Sequence, residues 1–173
     1  MDTNAKVKSF LRLIDLTTEW FGKFAGWLVI ILIGVVFWEV ISRYLFNAPT
    51  IWAFEMSCFL YASSFLLGMG YTLQNKKHVS IETFSNYLSP RKQALLTCVC
   101  YMFFFFIIIP PLIVFGIKFA GKACLLNEHS YSPWAPPLCY IKSVLPLSFF
   151  ILLVQGIADF IRRFFYAVKG VQF

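Results

Sequence analysis

Four stretches of this chain are apolar for long enough to cross a bilayer, and that constraint overrides every other in the sequence. About 20 mostly apolar helical residues span a hydrocarbon core of about 30 Å. The first stretch runs from about residue 24 to 46 and meets no charge until Glu39. The second, about 50 to 74, carries Glu55 as its one charge, and the third, about 92 to 117, is uncharged from Gln93 onward. Pro110 and Pro111 lie inside the third and are expected to kink it or end its regular hydrogen bonding. The fourth, about 142 to 158, is the weakest, because its uncharged part is short. "SPWAPPLCYI" before it reads as an interfacial or re-entrant lead-in. Only 13% of the 173 residues are charged, against about 25% in soluble domains. The expectation is an all-α integral membrane protein forming a single membrane domain over residues 1–173, without a separate soluble catalytic domain. The N-terminus lacks the pattern of a cleavable signal peptide.

The net charge of +7 marks loops on one side of a membrane rather than a nucleic-acid surface. Lys6, Lys8, Arg12, Lys23, Lys76, Lys77, Arg91, Lys92, Arg162, Arg163 and Lys169 fall on one side of a four-span layout. Arg43, Lys118, Lys122 and Lys142 fall on the other. Both termini are therefore expected to be cytoplasmic. Pro49 should stop the first helix, and Ser89 with Pro90 should cap the third. Two amphipathic stretches are expected on the inner face. One covers about residues 6–20, with Val7, Phe10, Leu11 and Ile14 at helical spacing; the other is "HVSIETFSNYLSP", with Ile81, Phe84 and Leu88. Contact with phospholipid is the simplest role for both.

Reactive chemistry finds little support. His78 and His129 fall on opposite sides of the layout, so they cannot jointly hold haem or a metal within one chain. No HExxH, CxxC or Gly-rich phosphate loop occurs. Cys98 and Cys100 point to nearly opposite faces. Cys124 and Cys139 both lie on the outer side, where a disulfide is permitted, although free cysteines are the ordinary reading. Ser63, Ser64, Gly68 and Gly70 suit close helix packing.

"EVISRYLFNAPTIWAFE", residues 39–55, concentrates the membrane charges. Glu39 and Arg43 share a helix face in the favourable order, and Glu55 lies in the same outer layer, so Arg43 can answer either acid. Three readings follow: an internal ion pair, an interface with another membrane subunit, or a solute or ion site. The first two are compatible, and charge burial in lipid favours them.

The order of these motifs resembles the small membrane subunit of tripartite ATP-independent periplasmic (TRAP) transporters, the DctQ-type family. The residues that carry the likeness are Arg43-Tyr44, Phe46-Asn47, Trp52, Glu55, Gly68, His78-Val79, Ile81 and Glu82. Later come Trp134, Pro136, Pro137, Pro146 and Gln155. The likeness covers about residues 20 to 163. Two departures are Phe54 in place of a second acid before Glu55, and "LYASSF" where many members have a tryptophan. The resemblance implies a non-catalytic scaffold without cofactor or metal, in a bacterial inner membrane. Its partners would be a large DctM-type membrane subunit, which carries an organic anion with sodium, and a DctP-type periplasmic binding protein. Glu39, Arg43, Trp52, Glu55 and His78 would serve as ion-pair or interface positions. Lys118, Lys122, Glu128, His129 and Trp134 would form a docking rim for the binding protein. An autonomous four-span exporter and a membrane anchor of a redox enzyme are the alternatives. The first would need a coupling acid near mid-bilayer, which neither Glu39 nor Glu55 provides.

Overall fold

The computed structural model describes residues 2–75, 96 and 98–169. Four helices in it are long and apolar enough to cross a membrane. Helix α1 spans Asp2–Tyr44 and α2 spans Ala53–Gln74. Helix α3 spans Cys98–Leu125, and α4 spans Leu138–Lys169. The 44–53 and 125–138 connections lie together at one end of the bundle (the loop end). The first turns of α1, the end of α2 and the end of α4 meet at the other (the terminal end).

No proline interrupts α1, and its stop is built from the turn that follows. The Ala48 N–H donates to the Ser42 carbonyl at 3.0 Å, and Asn47 turns the chain with a φ of 54°. Asparagine tolerates that left-handed conformation better than most residues. At 43 residues and about 1.5 Å per residue, α1 is roughly 65 Å long, far more than a bilayer core requires. The 6–20 segment is therefore not a separate surface helix. It continues into the first span as one helix, with Leu11 and Ile14 packed against Val154, Ala158 and Ile161 of α4. The second amphipathic stretch, the Ser89–Pro90 cap and His78 lie outside the described residues.

Helix α3 runs through Pro110 and Pro111 without ending. Its departure from regular geometry comes earlier, as a π-helical turn over Tyr101–Phe105. It also continues to Leu125, so Lys118 and Lys122 stand on a helix rather than in the loop expected from the sequence.

Helix α4 organises the bundle, although its sequence gave the weakest span. It extends well past the expected 142–158 at both ends. Its inward face reads Ser148, Ile151, Leu152, Gln155, Ala158 and Asp159, all buried, at the i, i+3, i+4 spacing of one helical side. Ile151 packs with Ala25 of α1 and Leu67 of α2. Leu152 packs with Leu73 of α2 and Ile109 of α3. Helix α4 thus touches each of the other three, while α1 packs chiefly on α2. Burial is far greater along α4 than along α1 or α3, whose apolar surfaces face outward.

Gly156 shows how tight this packing is. A Cβ built there would lie 2.2 Å from the Phe105 ring that the π turn presents. Gly156→Ala is expected to cost about 1–3 kcal/mol through overpacking. Gly26→Ala, where a Cβ meets nothing within 4 Å, should leave stability unchanged. Unfolding by SDS titration in mild detergent distinguishes them.

Candidate functional site

At the loop end the charges of the 39–55 stretch sort themselves into closed sets. Glu39 Oε1 accepts from Arg43 Nη2 at 2.6 Å and from Nε at 3.2 Å. Its Oε2 accepts from the Thr50 N–H at 3.2 Å and from the Thr50 hydroxyl. One carboxylate therefore holds the last turns of α1 to the residues that lead into α2. The Glu39 side chain is only 15% exposed while that of Arg43 is 56% exposed, so the acid is the fixed member of the pair. Trp52, half-buried, precedes the first residue of α2.

Glu55 does not share Arg43. Its two oxygens accept from the hydroxyls of Ser130 and Ser132, the latter at 2.6 Å. This clamps the 126–137 loop onto the start of α2. The loop is itself folded back: His129 and Pro137 form an isolated β-bridge, and the Leu138 N–H donates to the Glu128 carbonyl at 2.9 Å. Cys124 and Cys139 are joined in a disulfide, Cα to Cα 4.7 Å, across the base of the loop.

The residues expected to rim this end are unequal. Lys118, Lys122 and His129 are exposed, and the His129 Nδ1 lies 2.6 Å from the Asn127 carbonyl. Glu128 is engaged by Lys142 at 2.6 Å, whose ammonium also sits 4.3 Å over the Phe119 ring. Trp134 is half-buried.

A second polar cluster, at the terminal end, escaped the sequence reading. Gln155 is fully buried. Its Oε1 accepts from the Thr18 hydroxyl at 2.9 Å, and its Nε2 donates to Asp15 Oδ1 at 3.2 Å. Arg162 pairs with the other Asp15 oxygen, and Gln74 Nε2 donates to the Asp15 backbone carbonyl at 3.3 Å. Asp159, also buried, accepts from Arg163 Nε at 2.7 Å and from the Tyr101 hydroxyl at 2.9 Å. The π turn in α3 therefore places both a packing ring, Phe105, and a hydrogen-bond donor, Tyr101. One signal was visible beforehand: Asp159 and Arg163 are four apart at the end of an apolar run. The links to Asp15 and Thr18 cross about 140 residues and leave no local trace.

Two acids and two guanidiniums in this cluster balance one another. Among the described residues no three His, Cys, Asp or Glu side chains are grouped to hold a metal ion. The Thr18–Gln155, Asp15–Arg162 and Tyr101–Asp159 contacts tie α1 and α3 to α4.

Four apolar crossing helices locked by interior polar pairs define a multi-pass integral membrane protein. Residues 32–165 match the family described as "Tripartite ATP-independent periplasmic transporters, DctQ component", and the chain belongs to that family. It is accordingly a component of a bacterial inner-membrane transporter. Over 108 residues it is 30% identical to the sialic acid TRAP transporter permease protein SiaT of Haemophilus influenzae, covering 62% of this chain and 17% of that one. Over 91 residues it is 29% identical to the sialic acid TRAP transporter small permease protein SiaQ of Vibrio cholerae, covering 53% and 52%. The matched stretch is thus about half of one relative and a small part of the other.

Asp159→Ala strands Arg163 in a mostly buried position, and about 3 kcal/mol of stability should be lost. Glu19→Ala, which breaks an exposed pair with Lys23, should cost less than about 1 kcal/mol. Replacing Cys124 and Cys139 together by serine should cost about 3 kcal/mol, as expected for a link across about 15 residues. Wild type treated with reductant under unfolding conditions should approach the double variant.

Proposed function

We propose that this chain is the small, non-catalytic membrane subunit of a TRAP transporter. It packs on and stabilises a larger permease subunit, which carries an organic anion in with sodium. It also contributes to the face where a periplasmic binding protein delivers that anion. The observation that carries the reading is the internal consumption of charge. Glu39 is taken by Arg43 and Thr50, Glu55 by Ser130 and Ser132, Asp15 by Arg162, and Asp159 by Arg163. A carrier needs polar groups held open for its solute or coupling ion; here each of these four acids is engaged by side chains of the bundle itself.

The relatives support the division of labour. In the Haemophilus protein the matching stretch is 17% of a chain named as a permease, so a region like this one sits beside a much longer transport chain. Both relatives are named for sialic acid, an acidic sugar, in keeping with an anionic solute. The disulfide supports placing the loop end in the oxidising periplasm, in agreement with the count of basic residues. There the 126–137 loop, with Lys118, Lys122 and His129 beside it, forms a pre-folded rim for a binding protein.

Vesicles containing this chain alone should show no solute uptake, and co-expression with the larger permease should yield a stable heteromer and sodium-dependent uptake. Transport by the isolated chain, or monomers throughout after co-expression, would overturn the reading. Arg43→Ala should lower heteromer yield several-fold while leaving the order of solute preference intact; an altered order with normal assembly would place Arg43 on the solute route.

A further inference from the structure

The acids at the loop end are all engaged, but two of its cations are not. Glu39 takes Arg43, Glu128 takes Lys142, and Glu55 is held by the hydroxyls of Ser130 and Ser132. Lys118 and Lys122 are left over. Both are exposed, and neither has an acceptor among the described residues. They stand four apart on α3 and so share one side of it, where like charges repel. The negative end of the helix favours a cation at Lys122, in the last turn, but lies too far from Lys118 to answer it.

The surroundings of the two lysines decide which anion can reach them. The other side of α3, with Gly116, Ala120 and Ala123, is buried, and Gly116 sits against Leu145 and Pro146 of α4. Ile107, Pro111, Phe115, Lys118 and Lys122 follow at spacings of four, four, three and four, and all are exposed. They form one outward line, apolar below and cationic at its end. Its depth is set from the far end of the helix, where Tyr101 meets Asp159 in the charged terminal cluster. Lys118 comes 17 residues later with no charge between, about 26 Å along the helix. A hydrocarbon core of about 30 Å therefore ends close to Lys118. Lys122, about 6 Å further on, stands in the headgroup layer. From Ile107 to Lys118 is about 16 Å, the depth of one leaflet's acyl chains.

We infer that this side of α3 binds one anionic phospholipid, its acyl chains along Ile107, Pro111 and Phe115 and its phosphate between the ammonium groups of Lys118 and Lys122. The inference needs only that the chain crosses a bilayer and does not depend on the scaffold reading. Lipid phosphate is the anion present at the level of both lysines, and basic side chains at that level attract it. A zwitterionic lipid brings its own cation, which the pair repels, so the site selects phosphatidylglycerol over phosphatidylcholine. The carboxylates of a soluble partner approach from beyond the headgroups and match Lys122 better than Lys118.

The test is native mass spectrometry of the full chain in mild detergent, offered phosphatidylglycerol and phosphatidylcholine with the same acyl chains in equal amounts. The wild type should retain phosphatidylglycerol over phosphatidylcholine by about 10-fold. Lys118→Gln with Lys122→Gln should bring the ratio close to one, while Lys118→Arg with Lys122→Arg should keep it. Both side chains are exposed, so the glutamine pair should hold the wild-type SDS unfolding midpoint. Inorganic phosphate in excess should leave the bound lipid in place. Equal retention of the two lipids by the wild type, or a preference that survives the glutamine pair, overturns the assignment. Displacement by inorganic phosphate does so too, because the apolar line would then contribute nothing. If the glutamine pair keeps its lipid preference but the co-expressed complex loses capture of a binding protein, the lysines belong to the docking rim and the lipid site falls.

Discussion

Gln155 is the residue on which the bundle turns. A primary amide in an otherwise apolar span cannot face acyl chains without losing its hydrogen bonds, so α4 must rotate to point it inward. That rotation carries Ser148, Ile151, Leu152, Ala158 and Asp159 to the interior with it. Once they are there, Thr18 and Asp15 fix the height of α1 against α4, and Tyr101 fixes α3. The apolar contacts then fill what the polar contacts have aligned. In a bilayer this order of causes is reasonable, because lipid competes with Leu–Leu packing but not with an amide–hydroxyl bond.

Much of the plan was legible in the sequence. Hydropathy and length reveal the four spans, and the 39–55 turn is recognisable from Pro49 and the three charges that surround it. What stayed hidden has a physical source. Hydropathy measures cost in lipid, so Gln155, Asp159, Arg162 and Arg163 made α4 look marginal. In the fold they make it central, since protein rather than lipid receives them. The helical identity of residues 6–20 was visible, but not their junction with the first span, because that depends on Ala158 and Ile161 at the far end of the chain. Arg43 could have answered either acid by spacing alone; the choice of Glu39 follows only when Ser130 and Ser132 are seen to occupy Glu55. Likewise, the Cys124 and Cys139 pairing requires a loop that folds back on itself, which the β-bridge at His129 provides.

The two ends of the bundle are held in different ways. The loop end combines a covalent link with hydrogen bonds to the Glu39 and Glu55 carboxylates, so its surface is held from within the chain. The terminal end relies on charged pairs of Asp15 and Asp159, partly open to their surroundings. Between them, the outward sides of α1 and α3 are long and apolar.

The dependence on α4 also has a bearing on how the protein is made. A membrane chain is inserted from its N-terminus onward, so α1 and α2 can find each other early. Helix α3 cannot complete its packing then, because Tyr101 and Phe105 are aimed at Asp159 and Gly156, residues that emerge later. For that interval its phenylalanine-rich surface stands in the bilayer without its intended neighbour. Helix α4 is thus a keystone in time as well as in space, because α3 lacks the neighbours it packs on until α4 has been made.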